Sequence, residues 1–249
     1  MGPTERRDYV MKAVIIDGKV EIEKLSEELE VSPMTIRRDL DQLEEEGRVI
    51  RIHGGAVLPQ PIIAETPFST KESRRNVEKK QIAKKAISLV KEGQTIILDS
   101  GTTTLEIARL LVTFNQLTVI TNDIKIAAEL MESSLKVIVT GGEIQNGVGA
   151  LYGPLTHRVL KDIHVDLFFL GAHAIDVESG ITAPTFEKAY IKQLMIQAAE
   201  TTWLVSDISK VKQKSFSKVC GLNELSGYIA DDGITPEMKE ELSEYIKVL

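Results

Sequence analysis

The chain has 249 residues, 43% of them hydrophobic and 27% charged, which is the composition of a soluble globular protein with room for two domains. A formal net charge of −7 excludes a broadly basic surface for nucleic acid, and a single cysteine excludes an intramolecular disulfide. The amino terminus lacks the apolar stretch of a secretory signal, and no apolar run reaches the roughly 18 residues of a membrane span. These features predict a cytoplasmic protein without membrane contact.

The first 58 residues predict a module of three helices and a two-stranded wing. Apolar residues recur at helical spacing, and Gly, Ser and Pro residues separate the segments. Helices are expected at residues 4–17, 22–29 and 33–46, and wing strands at 49–52 and 56–58. Val10, Val14 and Ile15 form the expected apolar stripe of the first helix.

The third helix is the candidate element for reading DNA. Pro33 suits its first position, and an inward face of Ile36, Leu40 and Leu43 leaves the opposite side polar. In helix-turn-helix proteins the start of the recognition helix enters the major groove, where Arg pairs with guanine or phosphate. The predicted DNA-binding residues are Ser32, Met34, Thr35, Arg37, Arg38 and, on the wing, Arg51 and His53. A plain helix bundle with solvated arginines, or a module that binds protein, fits the same spacing.

The remainder of the chain predicts a linker followed by an α/β domain. Three prolines interrupt any periodicity near the start of residues 59–75, the expected linker, and the basic run 71–85 is expected to be a solvated helix face. Strands are expected at 95–98, 117–120, 136–139, 165–170, 203–205 and 228–230, and helices at 76–91, 103–112, 124–132, 154–161, 186–199 and 236–247. This alternation predicts a mostly parallel sheet covered on both faces.

Polar residues follow several of these strands, where ligands bind in open α/β sheets. After the strand at 95–98, a glycine and three threonines begin a helix, whose free N–H groups suit a phosphate monoester. A simple capped helix has the same sequence. The candidate effector-binding residues are Asp99, Ser100, Gly101, Thr102, Thr103, Thr104, Thr121, Asn122, Gly141, Gly142, Asp176, Glu187 and Lys210. The histidines lack zinc-ligand spacing and no dinucleotide fingerprint is present, so neither a metal nor a cofactor is expected.

The run VSPMTIRRDLDQLEEEGRVIRIHGGA at residues 31–56 resembles the amino-terminal signature of the DeoR family of bacterial transcription regulators. The DSGTTT motif at 99–104, the later TN and GG pairs, and the D-x-SK motif ending at Lys210 extend the resemblance over nearly the whole chain. The resemblance implies a winged helix-turn-helix DNA-binding domain at 1–58 and an effector-binding domain at 76–249 similar in fold to ribose-5-phosphate isomerase. It also implies a double-stranded DNA operator, usually repressed, and a phosphorylated sugar or polyol as effector. A homo-oligomer, a dimer or tetramer, is expected to present paired reading helices to two half-sites.

A phosphosugar isomerase or deaminase with a regulatory appendage is the competing hypothesis. Asp176 and Glu187 are then the candidate general bases, but a fold does not imply activity and no second reactive signature accompanies them. We therefore predict a non-enzymatic regulator of carbohydrate genes. Turnover of sugar phosphates would favour the enzyme, and absence of a DNA footprint would favour a protein-binding module.

Overall fold

A computed structural model describes residues 2–46, 48–52, 54–58, 65 and 67–249. The chain divides into two compact units, Met1–Pro61 and Ile62–Leu249. None of the helices in these described ranges combines the length and apolarity that a membrane span requires.

The first unit contains three helices and a three-stranded antiparallel sheet. The helices are α1 (Pro3–Asp17), α2 (Ile22–Glu28) and α3 (Pro33–Glu45), and the strands are β1 (Lys19–Glu21), β2 (Ile50–Ile52) and β3 (Gly55–Val57). β3 lies between the other two strands, so the predicted two-stranded wing gains a third strand from the turn after α1. Gly55 is required there, because a Cβ at this position would lie 1.9 Å from the carbonyl oxygen of Val20.

The core of the first unit confirms the predicted inner face of α3 but corrects that of α1. Ile36, Leu40 and Leu43 are fully buried. In α1, Met11 joins Val10 and Val14 in the core, whereas Ile15 is 55% exposed. Each helical residue turns by about 100°, which places Ile15 roughly 90° away from the centre of that buried stripe.

The second unit carries the remaining elements. Its strands are β4 (Thr95–Leu98), β5 (Thr118–Thr121), β6 (Lys136–Val139), β7 (Glu143–Ile144), β8 (Leu151–Tyr152), β9 (Val165–Gly171), β10 (Ala174–Asp176), β11 (Gly180–Ala183), β12 (Ala199–Val205), β13 (Ser217–Cys220) and β14 (Gly227–Ile229). Its α-helices are α4 (Phe68–Glu72), α5 (Asn76–Ile87), α6 (Thr102–Leu111), α7 (Ile124–Leu130), α8 (Pro154–Lys161), α9 (Phe186–Ala198) and α10 (Pro236–Ser243). The segment expected to be a linker thus contains α4, and Phe68 is buried in the core of this unit; residues 59–64 and 66 lie outside the described residues.

Six parallel strands form the main sheet in the order β14-β12-β9-β4-β5-β6, which confirms the predicted α/β fold. A separate hydrophobic core covers each face. Phe168 and Phe169 are adjacent on β9 and both fully buried, yet they belong to opposite cores. Such burial on both faces explains why the strand runs are continuously apolar rather than alternating.

Antiparallel pairs supplement the main sheet and were not predicted. β10, β11 and β13 form a small sheet, and β7 pairs with β8 in a hairpin. These strands have two to four residues, too few to show a periodicity distinct from that of a loop. Cys220 on β13, the only cysteine in the sequence, is 3% exposed.

Candidate functional site

The amino-terminal end of α3 is fixed by its cap and by an ion pair. Ser32 Oγ accepts a hydrogen bond from the Thr35 backbone N at 3.2 Å and lies 2.9 Å from the Thr35 hydroxyl. Arg6 on α1 binds the buried carboxylate of Asp39 through Nε and Nη2, and this hydrogen bonding raises the pKa of Arg6. The helix is therefore held rigidly from its inner side.

The outer side of α3 presents unpaired cations. Arg37 and Arg38 are exposed, and Met34 beside them is 53% exposed. Among the residues that the structure describes, neither arginine lies within ion-pair distance of a carboxylate. The outer face of α3 is thus a small cationic surface on an otherwise acidic unit.

Arg51 on the wing forms an ion pair and a hydrogen bond with carboxylates of α3. Its Nε lies 3.2 Å from Asp41 Oδ1, and its backbone N donates to Glu44 Oε1 at 2.7 Å. Arg51 therefore connects β2 to α3, although its buried Nη1 has no hydrogen-bond partner within the described part of the chain. His53 lies outside the described residues.

A cavity of about 240 Å³ opens in the second unit beside the carboxyl ends of β4 and β5. Four of the predicted effector residues line it, namely Asp99, Ser100, Asn122 and Glu187. The other lining residues are Gln145, Ala150, Leu151, Tyr152, Thr185, Lys188, Ile191 and Lys192. This position agrees with the rule for ligand sites in open parallel sheets.

A buried ion pair closes the inner end of the cavity. Lys192 Nζ on α9 donates to Asp99 Oδ2 and, at 2.9 Å, to the carbonyl oxygen of Gly171. Asp99 Oδ2 also accepts from the Gly171 backbone N at 3.0 Å. The side chains of Asp99 and Lys192 are 3% and 11% exposed, so each charge depends on the other in a largely dehydrated position.

The loop from Ser100 to Thr104 connects this pair to the start of α6. Ser100 Oγ donates to Asp123 Oδ2 at 2.6 Å, and Thr104 Oγ1 donates to the carbonyl oxygens of Asp99 and Gly101. Thr104 therefore shapes the loop, with Thr102 buried and Thr103 half-buried beside it. Within the described residues, the backbone N–H groups of 102–104 have no acceptor, as expected for a first helical turn.

Asn122 lines the cavity with a polar atom that the described residues leave unsatisfied. It is 3% exposed, and its Nδ2 donates to the carbonyl oxygen of Leu151 at 3.2 Å. Its Oδ1 is buried and has no hydrogen-bond partner among the residues that the structure describes. Because an unmade buried hydrogen bond costs about 1–3 kcal/mol, this oxygen suits a hydroxyl donated by a ligand.

Three of the predicted effector residues do not line the cavity but stabilise the structure around it. Thr121 Oγ1 donates to the Leu98 carbonyl and accepts from Asp123 N. Gly141 O accepts from Thr156 Oγ1 at 2.5 Å. Gly142 has φ +115° and packs on β8, where a Cβ would lie 2.2 Å from the Tyr152 carbonyl oxygen.

The two carboxylates considered as general bases lie in different places. Glu187 is on the cavity rim, where Oε1 accepts from Gly153 N at 3.1 Å and contacts His157 Nε2 at 2.8 Å. Asp176 does not line the cavity. It ends β10 and accepts from the backbone N of Ser179, with Lys214 Nζ 3.3 Å away. Although burial opposes the effect, these partners lower the pKa of Asp176.

Family models match both units of the chain. The DeoR-like helix-turn-helix domain matches residues 6–61, and the DeoR C terminal sensor domain matches residues 74–232. The chain belongs to the DeoR family.

Relatives of known name agree with this membership in the DeoR family. The HTH-type transcriptional regulator GlpR of Haloferax volcanii is 36% identical over 97% of this chain and 95% of its own length. The lactose phosphotransferase system repressor of Staphylococcus epidermidis is 32% identical over the full length of both proteins. Ribose 5-phosphate isomerase A of Methanocaldococcus jannaschii is a structural neighbour, with 19% identity, a TM-score of 0.40 and 53% of each chain covered.

A group of charged residues lies beside the cavity of this DeoR-family chain. Most of these residues were not predicted from the sequence. Glu65 Oε1 lies 2.5 Å from Lys71 Nζ, and Glu65 Oε2 lies 2.5 Å from Lys188 Nζ. Burial opposes ionisation of Glu65, but Lys188 and Lys71 lower its pKa to about 2. Burial lowers the pKa of Lys188 to about 8 against the attraction of Glu65.

Lys210, a predicted effector residue, belongs to the same charged region rather than to the cavity lining. Burial lowers its pKa while Asp207 opposes the change, and Lys71 lies near enough to contribute. His173 is also nearby, and burial, followed by Lys71, lowers its pKa to about 4. His173 is therefore neutral at pH 7, and the positive charge around Lys210 comes from Lys71, Arg74 and Arg75.

The prediction that the basic run 71–85 is a solvated face is wrong for Lys79. This lysine is 4% exposed, and its Nζ donates to the carbonyl oxygens of Lys71 and Glu72 at the end of α4. Lys188 and Lys192 were also missed, although their i, i+4 spacing on the apolar helix α9 places both on one face. That spacing was the available signal, since a lysine on a helix face crowded with apolar residues needs a partner.

Proposed function

We propose that this DeoR-family regulator binds a double-stranded DNA operator through α3 and represses carbohydrate genes under the control of a phosphorylated sugar or polyol. DNA binding is supported by Arg37 and Arg38, which are exposed on a helix fixed by its cap and have no carboxylate within ion-pair distance among the described residues. The named activity of the lactose phosphotransferase system repressor supports repression of sugar genes.

The chemistry of the cavity supports the proposed effector. Lys188 lines the cavity, and protonated lysines bind phosphate oxygens through strong charge-assisted hydrogen bonds. Asn122 Oδ1 and Glu187 supply acceptors for hydroxyl groups. Cationic and acceptor groups in one cavity suit a small molecule that carries both a phosphate and several hydroxyls.

We propose a sensor rather than an enzyme for the second unit. Asp176 caps a turn outside the cavity, so the two candidate general bases do not face one bound molecule. Glu187 alone remains at the rim, already bound to Gly153 N and His157. This arrangement supports binding without turnover.

A thermal-shift screen tests the effector. The purified protein is heated with phosphorylated sugars and polyols, each beside its unphosphorylated form, because a ligand that binds the folded state raises the melting temperature. We expect one phosphorylated compound to raise it and the parent sugar not to. No shift across a broad panel would contradict the effector assignment while leaving operator binding to be tested separately.

Asn122→Ala is expected to weaken binding of the compound found in this screen by about tenfold, since the ligand hydroxyl loses its acceptor. Isothermal titration measures the change. Asn223→Ala, at an exposed position on another surface, is the matched control. Unchanged affinity in Asn122→Ala would place the ligand elsewhere.

Effector affinity is expected to fall as the pH rises above 8, because the pKa of Lys188 is lowered to about 8 and only its protonated form attracts phosphate. Below that pH the ammonium group is charged and binding is strongest. The fall approaches about tenfold per pH unit at most. Titrations between pH 7 and pH 9.5 measure it, and Lys188→Arg, which stays charged, is expected to flatten the profile. An equally steep profile in Lys188→Arg would assign the titration to another group.

We further propose a homo-oligomer, a dimer or tetramer, that reads two operator half-sites. The first 58 residues carry nine Lys or Arg against thirteen Asp or Glu, so a lone module binds DNA weakly and gains from pairing. Light scattering and footprinting test this, with two protected half-sites spaced by about one helical turn or a multiple as the expected pattern.

A further inference from the structure

Glu65 lies between two ammonium groups at the edge of the cavity. Lys188 on α9 lines the cavity, Lys71 belongs to α4, and Glu65 places one carboxylate oxygen 2.5 Å from each Nζ. The three side chains are 17–27% exposed. A negatively charged group is therefore already held where two lysines converge beside the cavity.

The single negative charge of Glu65 balances only one of the two positive charges of Lys71 and Lys188. Its Oε1 accepts from Lys71 Nζ, and its Oε2 lies 2.5 Å from Lys188 Nζ, so one negative charge is shared between two ammonium groups. A phosphate monoester carries up to two negative charges and three terminal oxygens, so it can accept from both lysines and balance both of their charges. The pair of lysines is thus better suited to phosphate than to its present occupant.

The surroundings add positive charge that Glu65 does not neutralise. Lys210 interacts electrostatically with Lys71, and Asp207 is its main opposing charge. His173 contributes no charge at neutral pH, since burial lowers its pKa to about 4. Lys192 is already paired with Asp99. If Glu65 leaves, Lys71 and Lys188 face each other without an anion between them.

We propose that Glu65 occupies an anion subsite formed by Lys71 and Lys188, and that the phosphate of the effector displaces it. This inference rests on the proposed function, and it adds that Glu65 and the effector phosphate compete for one site. Glu65 would then compete with the effector phosphate and lower the affinity for the effector.

The test compares binding of inorganic phosphate by the wild-type chain, Glu65→Gln and Glu178→Gln, using isothermal titration. Glu178 forms an exposed ion pair with Lys214, so its replacement makes the same charge change in the same unit. A site that is open about one tenth of the time binds about tenfold more weakly. We therefore expect Glu65→Gln to bind phosphate about tenfold more tightly and Glu178→Gln to match the wild type.

Any other outcome contradicts the proposed competition between Glu65 and phosphate. Equal or weaker binding by Glu65→Gln, with clear binding by the wild type, would leave the phosphate site standing and remove the role of Glu65. If none of the proteins binds phosphate, both the subsite and the phosphate part of the proposed effector fail, whereas operator binding is measured independently. A second measurement needs no variant: phosphate should speed amide hydrogen exchange in peptides spanning 65–72 of the wild type, and slower exchange would contradict displacement.

Discussion

Replacing Arg37 and Arg38 together by alanine is expected to abolish operator binding while leaving effector binding by the second unit unchanged. Both side chains are exposed on the outer face of α3, where a bidentate contact to a base contributes about 1–3 kcal/mol. Loss of both contacts therefore weakens binding by about two to four orders of magnitude. Fluorescence anisotropy measures it on DNA selected from random sequence by the wild-type protein.

Two features of this experiment separate DNA reading from folding. Arg37 and Arg38 are exposed and are not part of the hydrophobic core, so the double variant should melt like the wild type. Lys239→Ala removes one exposed cation from α10 in the second unit and should bind the operator normally. Normal operator affinity in both single arginine variants would show that α3 does not read DNA.

Lys192→Met is expected to destabilise the second unit by about 3–5 kcal/mol and to abolish effector binding. The substitution removes the ammonium group that balances Asp99, whose side chain is 3% exposed. The carboxylate then keeps only the hydrogen bond from Gly171 N within the described residues. Urea denaturation followed by the fluorescence of Trp203 measures the loss, because this residue is the only tryptophan and lies on β12 in the second unit.

Two further variants identify the cause of that loss. Asp99→Asn combined with Lys192→Met removes both charges while keeping an acceptor for Gly171 N, and we expect it to regain most of the stability. Lys218→Met, at an exposed position on β13, should change stability by less than about 0.5 kcal/mol. If Lys192→Met unfolds at the wild-type urea concentration, the ion pair does not stabilise this unit.

The main sheet was predictable because its strands are short apolar runs bounded by polar loops. β4 and β6 begin and end at the predicted residues. Errors concentrate where tertiary pairing decides the structure. The last helix was expected to reach residue 247 but ends at Ser243, because Val248 then pairs with Tyr228 and extends the edge of the sheet. No local pattern in the sequence reveals that contact.

The candidate site was partly predictable for a similar reason. Asp99, Ser100 and Asn122 follow strands directly, so the geometry of a parallel sheet brings them together. Lys188 and Lys192 lie on a helix, where a charged residue is ordinarily assigned to solvent; their i, i+4 spacing places them on one face, but the packed structure is needed to show that this face lines the cavity. Glu65 lies near three prolines with no periodic pattern, so its contacts are set by tertiary structure alone.

The buried thiol of Cys220 can be used to measure how often this part of the protein opens transiently. Burial raises the pKa of Cys220 to about 12, so almost none of the reactive thiolate exists in the folded chain at neutral pH. Mild oxidants and alkylating reagents should therefore leave the intact regulator untouched. The sequence contains no other cysteine. The rate at which such a reagent modifies the chain therefore measures how often β13 separates from β11. A bound effector that stabilises the second unit should slow this modification in proportion to its occupancy.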